Sequence, residues 1–277
     1  MPRDDELRSL HALIASYLQT QRLVIVRGDV ALRHGEEAIH RTRVAIRRYR
    51  SVLRVFATEF PAAGATALDA ELTWYAEALG GVRDLHVLGR QLTEALDSLS
   101  TAVPLAAARE AITVRLDRDV EQASASLSAA LASPRYDALL VTLDAWQSPP
   151  FVRPDRAAKE VVQYVDAADR KVTRRLRKAA RADVRDEALH RARKAGKRAR
   201  YAAEVSRPVL GAAAKTRIRR AKQLQDRLGQ VQDTSVALEF VQSVALDPST
   251  SAEAAFALGL LWAYEQRRQT RAIHHVE

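Results

Sequence analysis

His40-Arg-Thr-Arg-Val-Ala-Ile-Arg-Arg-Tyr-Arg50 is the stretch that decides how this chain is read. At about 100° per residue, His40, Arg43, Arg47 and Arg50, continued by Arg54, fall on one narrow stripe of a helix. Ala45, Ile46, Tyr49, Val52, Leu53 and Phe56 fill a different side. The segment is therefore expected to be an amphipathic helix whose apolar arc joins a core while its cationic row stands apart. Arg41 and Arg48 lie off the row and are expected to be ordinary surface charges.

The pattern recurs. His190-Arg-Ala-Arg-Lys-Ala-Gly-Lys-Arg-Ala-Arg200 stands 150 residues further on and keeps six of the eleven residues, with Lys197 preserving the charge of Arg47. Leu79-Gly-Gly-Val-Arg-Asp84 pairs with Leu228-Gly-Gln-Val-Gln-Asp233 at an offset of 149. Two matched motifs at nearly one spacing predict an internal duplication, far above the solenoid periods of about 20–50 residues. The expected architecture is two four-helix bundles related by a pseudo-twofold, residues 1–147 and 155–277, divided at the Pro-rich Ser148-Pro-Pro-Phe-Val-Arg-Pro154.

The coarse reading along the chain is all-α. Gly (10) and Pro (9) are scarce in 277 residues, which disfavours a turn-rich β sandwich. Helix breaks are expected near Gly28 and Gly35, at 61–66, 100–104, 133–134, 148–154, 183–186, 207–211 and 247–251. Leu23-Val-Ile-Val26 is the one run that tempts a strand, and it sits inside a longer helical pattern. The chain has no cysteine, so disulfides, Cys-ligated zinc and thiol chemistry are excluded. No run approaches the 18 or so apolar residues of a membrane span, and the N-terminus shows no secretory pattern. A cytoplasmic protein that does not engage a membrane is expected, and nothing specifies its oligomeric state.

The charge is unevenly placed. Lys plus Arg number 44 against 34 Asp plus Glu, for a net +10. The windows 40–54, 170–181, 190–204 and 215–227 hold 25 of those cations and only two acids, Glu204 and Asp226; the remainder of the chain is net −13. Solvated helix faces interleave opposite charges at i,i+4, and these windows do not. In the second window Arg170, Arg174, Arg177 and Arg181 align. In the third the row is His190, Arg193, Lys197 and Arg200, with Lys194 and Tyr201 at its margin. In the fourth it is Lys215, Arg219 and Lys222. Like charges about 6 Å apart repel by roughly 2–3 kcal/mol at an effective dielectric of about 20. Rows without carboxylates are thus expected to cost stability until an anion arrives.

These residues resemble the CHAD family, the "conserved histidine α-helical domain". Its first half carries His-x-x-Arg-Val-x-x-Arg-Arg-x-Arg and then a Leu-Gly-x-Val-Arg-Asp turn. Its second half carries a His-x-x-Arg-Lys-x-x-Lys-Arg-x-Arg-Tyr helix and then Leu-Gln-Asp-x-Leu-Gly-x-x-Gln-Asp. Here these read His40–Arg50, Leu79–Asp84, His190–Tyr201 and Leu224–Asp233, and Glu71, Leu72 and Trp74 also fit. Gly196 is a small departure, costing about 1 kcal/mol against Ala in a helix. The resemblance implies two four-helix bundles that bind inorganic polyphosphate through basic residues lining a groove or pore. It implies Arg83, within the Leu-Gly motif, as a further contact. Some relatives are fused to a CYTH triphosphatase domain, for which this chain has no room, so that hydrolase activity is not carried over.

The expected function is binding of inorganic polyphosphate, with other polyanions as further partners and granules of the polymer as a destination. No cofactor and no catalytic constellation are expected. A phosphate polymer needs a long track rich in Arg and no stacking platform. Single-stranded nucleic-acid sites interleave aromatics with cations, whereas the windows hold only Tyr49 and Tyr201. A nucleic-acid binder gripping backbone phosphates alone stays open as the alternative. His40 and His190 are expected to donate to phosphate oxygens rather than hold a metal, since their neighbours are arginines. Asp84 and Asp233 are expected to orient nearby cations or hold an inter-helix turn, and His274 and His275 to be inconsequential.

Overall fold

In the computed structural model the structure describes residues 9–32, 36–99, 105–182 and 185–274. Among them the fold is all-α, as expected. The helices are α1 (Leu10–Leu32), α2 (Glu36–Val55), α3 (Ala62–Asp97), α4 (Ala106–Leu131) and α5 (Pro134–Ala145) from the first half of the sequence. α6 (Val161–Ala179), α7 (Arg185–Val205), α8 (Arg207–Ala245) and α9 (Ala252–His274) follow. The Leu23-to-Val26 run is helical within α1, where Ile25 is buried and Val24 exposed. A period of 3.6 positions puts one of those β-branched residues in the core, and burial outweighs β propensity.

Most expected breaks lie where helices end, including Ser133, whose side chain caps α5, and the turn before α9. Gly211 interrupts α8 near its start with a φ of 48°, a conformation that glycine alone adopts without strain. Two expectations fail. Gly28 does not end α1; a Cβ there would collide with Thr42 Oγ1, so the glycine instead admits α2 against the backbone of α1. The Leu-Gly motifs are not turns either, since Leu79–Asp84 runs within α3 and Leu228–Asp233 within α8. A Cβ on Gly81 would meet the Ala123 Cβ at 3.2 Å, so that glycine serves close packing of α3 on α4. Gly35, the 100–104 break, residues 183–184 and His275 lie outside the described residues.

The chain divides into two compact units, and neither is a sequence half. The first comprises Met1–Leu79 with Ala129–Gln225, the second Gly80–Ser128 with Asp226–Glu277. The expected division into 1–147 and 155–277 is therefore not how the units are composed. Both long helices contribute to both units: α3 has 36 residues, about 54 Å at 1.5 Å per residue, and α8 continues past its kink at Gly211 to Ala245. Nor is the Pro-rich stretch a free linker. Phe151 stacks on His11 with ring centres 3.8 Å apart and on Phe60 at 5.4 Å. The Val152 N–H donates to the Glu59 carbonyl at 2.9 Å.

In the first unit α1 packs on α2, α2 on α7, and α6 on α7. The arc read from the sequence is the buried face of α2: Ala45, Ile46, Tyr49, Val52 and Leu53, with Phe56 just beyond. α7 buries Ala188, Ala192, Ala195, Ala199, Ala202 and Ala203, small side chains that let neighbouring helices approach closely. Glu59 is fully buried near the start of α3. Its carboxylate accepts from Arg156 Nη2 at 2.7 Å and from the Tyr164 hydroxyl, and lies 3.2 Å from His11 Nε2. Burial alone would raise its pKa, but these donors outweigh burial and hold it below the ordinary Glu value.

The second unit buries Leu88, Leu92 and Leu96 of α3 with Ile112 of α4, Phe240, Val241 and Val244 of α8, and Leu258 and Leu261 of α9. Buried Glu265 is met by Arg268 at 2.6 Å and Gln91 at 3.3 Å.

Candidate anion-binding surface

Three of the four basic segments, and the fourth up to Gln225, fold into one unit. α2, α6, α7 and the part of α8 up to Gln225 all belong to the first unit, and α2 and α6 flank α7. The two helices that begin with His40 and His190 in the matched motifs are thus direct neighbours. His40 is exposed, while Arg43, Arg47, His190, Arg193 and Lys197 are half-exposed and Lys194 is exposed. Arg83 lies past Leu79, in the second unit.

The rows differ sharply in compensation. The expectation that they lack carboxylate partners fails on α2 and α7. Arg50 Nε lies 3.1 Å from Asp69 Oδ1, and Arg54 donates to Asp69 Oδ2 through Nε at 3.1 Å and Nη2 at 2.5 Å. Asp69 comes from α3, so no count of charges within the α2 window could reveal it. Glu204, near the end of α7, accepts from Arg200 Nε at 3.0 Å, Arg48 Nε at 3.0 Å and the Tyr17 hydroxyl at 2.7 Å. Arg48 is therefore not an ordinary surface charge. Burial would lower its pKa, but Glu204 outweighs burial and raises it. Burial and Glu204 together push the Tyr17 hydroxyl far up, so it stays a donor.

Tyr201 is buried rather than at the margin of a row. Its hydroxyl accepts from Arg47 Nε at 3.0 Å, and the guanidinium groups of Arg48 and Arg200 stand 5.8 and 5.6 Å from its ring centre. It positions arginines and does not offer its face to a ligand.

On α6 and α8 the expectation holds. Arg170, Arg174, Arg177, Lys178 and Arg181 are exposed, as are Lys215, Arg219, Arg220 and Lys222. Among the described residues no carboxylate lies within ion-pair distance of any of them. Arg217, off the row read from the sequence, is the paired member of its segment, 2.8 Å from Asp166 and 2.7 Å from Asp169. Arg177 and Lys178 also stand at the C-terminal end of α6, where the helix dipole favours cations.

Between the rows the cations press on one another. Lys171 has its pKa lowered by burial, then by Arg198, Arg175 and Arg174. Arg198 is lowered by burial, then by Arg54, with Arg50 and Arg175 adding to the effect against the pull of Asp69. Charges from α2, α6 and α7 thus act on Arg198 together, and Asp69 offsets part of them. The sequence reading missed Lys171, Arg175 and Arg198 because each lies off its own helix's row; only the packing of α7 between α2 and α6 brings them together. Asp69 was missed as a counter-ion for the same reason, whereas Glu204 stands at i,i+4 from Arg200 on α7, and only its contact with Arg48 depends on packing. Among the described residues no group of three or more His, Asp or Glu side chains gathers as a metal-binding set, and no helix is long and apolar enough to cross a membrane. Asp84 and Asp233 stand on exposed helix positions in the second unit rather than in turns.

Residues 16–242 match the family model of the CHAD domain. The chain belongs to the CHAD-domain family. Two curated relatives, both described as uncharacterized proteins, come from Mycobacterium tuberculosis strains H37Rv and CDC 1551. Each is 32% identical over 251 residues, covering 87% of this chain and 47% of the relative. The chain spans about half the length of these relatives. Among solved structures, the CHAD domain from the plant Ricinus communis superposes with a TM-score of 0.75 at 28% identity, covering 96% of this chain and 92% of that one. PptA from Streptomyces chartreusis superposes at 0.83 with 22% identity, covering 96% and 97%, and supports the fold.

Proposed function

We propose that this CHAD-domain chain binds inorganic polyphosphate on the cationic surface of α2, α6, α7 and α8, without hydrolysing it. One observation carries the reading: Arg170, Arg174, Arg177 and Lys178 on α6, Arg181 just past it, and Lys215, Arg219, Arg220 and Lys222 on α8 are exposed and have no carboxylate within ion-pair distance among the described residues. Mutual repulsion on that surface would be relieved by a bound anion. A polymer with a charge on every phosphate and no bases matches it, and arginine provides the forked contacts that phosphate oxygens accept. Tyr49 and Tyr201 are both buried, so the basic segments offer no ring on which a base could stack, which favours a phosphate polymer over single-stranded nucleic acid. The same affinity would draw the protein to polyphosphate granules in a cell.

Thermal melting with long-chain polyphosphate, orthophosphate and duplex DNA at matched phosphate concentration tests the proposal. The long chain should raise the midpoint most. An equal response to DNA at physiological salt would favour the backbone-gripping alternative. Phosphate release should stay at background with and without magnesium; release that depends on a divalent ion and on one carboxylate would make the chain an enzyme.

A further inference from the structure

The last turns of α6 and the first turns of α7 enclose a concavity of about 640 Å³. Its wall carries Arg174, Arg175, Arg177, Lys178, Arg181 and Arg191, completed by the small residues Ala182 and Ala188. Among the described residues, Arg191 is the member of this set with a carboxylate partner, Glu187, one turn away on its own helix. The other five cations face a common volume with no carboxylate in ion-pair distance among the described residues.

We infer that this concavity is a discrete site for a linear oligophosphate, held either as a free short chain or as the end of a longer one. The inference deepens the polyphosphate reading and can fail separately from it. The size falls within the roughly 300–1,000 Å³ of small-molecule sites, ample for several linked phosphates. Cations on an open track meet a passing polymer one after another; here they converge on one place, which suits a compact cluster of charge. A terminal phosphate group carries a second ionisation near neutral pH that internal groups lack, so a dense cation pocket favours chain ends. Among the described residues the lining has no aromatic ring and no carboxylate to grip a base or a sugar. Arg174 and Arg175 are shared with the crowd around Lys171, so the pocket adjoins the surface proposed to hold the polymer.

Isothermal titration of the full chain with tripolyphosphate, cyclic trimetaphosphate and long-chain polyphosphate tests this. Tripolyphosphate should bind at a single site, and the cyclic compound, which has no ends, about tenfold more weakly or worse. Arg177→Ala with Arg181→Ala should weaken tripolyphosphate by about a hundredfold, near tenfold per charge-assisted contact. Both side chains are exposed, so the fold should persist, as circular dichroism would verify. Arg267→Ala with Arg271→Ala, exposed on α9, makes an equal change in net charge and should leave binding unaltered. Equal losses from the two double variants, or equal affinity for the linear and cyclic compounds, would overturn the site. Binding of long chains without tripolyphosphate would overturn it while leaving the broader reading intact. Binding of tripolyphosphate alone would do the reverse. Displacement of tripolyphosphate by long chains in proportion to their ends would identify termini as occupants; no displacement would identify free short chains.

Discussion

The row on α2 and the row on α6 look alike in sequence and differ in the folded chain. Both place arginines at helical spacing beside an apolar arc. Arg50 and Arg54 share Asp69, and Arg47 is held by the Tyr201 hydroxyl. Arg174, Arg177 and Arg181 have no such partner among the described residues. A cationic stripe is thus not one physical object. Where another helix supplies a carboxylate the arginines are fixed in geometry and part of their attraction for an anion is already used. Where none does, no carboxylate at ion-pair distance offsets their field. α6 should accordingly dominate affinity, and α2 should dominate the rigidity of the surface.

The largest effect should separate the two rows directly. Arg174→Glu, Arg177→Glu and Arg181→Glu together should lower affinity for long-chain polyphosphate by about a thousandfold, since three charge-assisted contacts become repulsions. Arg50→Glu with Arg54→Glu should lower it by only about tenfold to a hundredfold, because Asp69 already neutralises part of that pair. Matching losses per residue, read by fluorescence titration at constant salt, would erase the distinction between the rows.

Stability should respond in the opposite sense. Glu204 is largely buried and accepts from Arg48, Arg200 and Tyr17. Glu204→Ala strands two guanidinium groups and a half-buried hydroxyl, a loss of about 2–4 kcal/mol by denaturant unfolding. Arg181→Ala removes only repulsion and should change stability by less than about 0.5 kcal/mol, or raise it. A Glu204 variant as stable as the parent would mean that the α7 end is not the anchor drawn here.

Much of this was legible in the sequence and some was not, for a reason that particular residues make plain. The buried arc of α2 follows from periodicity alone, because a core face must repeat every 3.6 positions. Arg174 and Arg177 were legible as exposed cations by the same arithmetic. Asp69 as partner of Arg50 was not, since it lies 19 positions away on another helix and carries no periodic signature. Nor was the composition of the compact units: Gly80 and Gly81 read as a turn, yet α3 runs through them because helix packing against Ala123 favours a residue without a side chain. Periodicity reports faces, and only tertiary packing reports which faces meet.

Acid should weaken the anchored side of the comparison. The Glu59 carboxyl is held below its ordinary pKa by Tyr164, His11 and Arg156 despite burial. A group depressed in the folded state contributes stability above its unfolded pKa and loses it as pH falls through the folded value. The contribution is therefore complete at neutral pH and declines below the ordinary Glu range. Glu59→Gln should lower neutral-pH stability by about 1–2 kcal/mol and flatten the acid limb of the stability curve. An unchanged acid limb in that variant would assign the decline to other carboxylates.

The smallest effect bears most directly on what compensation does. Asp69 sits among Arg50, Arg54 and Arg198, in the place where a phosphate group would gain most from them. Two roles are open to such a carboxylate, and they predict opposite signs. As a competitor it must be displaced before the arginines engage phosphate; as a positioner it holds them where phosphate needs them. Arg54 is more than a third exposed and keeps its bond to Asp69 in contact with solvent, where an ion pair is worth about 0–1 kcal/mol. Holding force of that size is modest, while repulsion between a fixed carboxylate and an arriving polyanion acts on every phosphate within a Debye length of about 8 Å. Competition should prevail: Asp69→Asn should tighten polyphosphate binding by about two- to fivefold at physiological salt, with a smaller gain at high salt where that repulsion is screened. Weaker binding by the Asn variant at every salt concentration would make Asp69 a positioner, and would place the compensated row, not the bare one, at the centre of recognition.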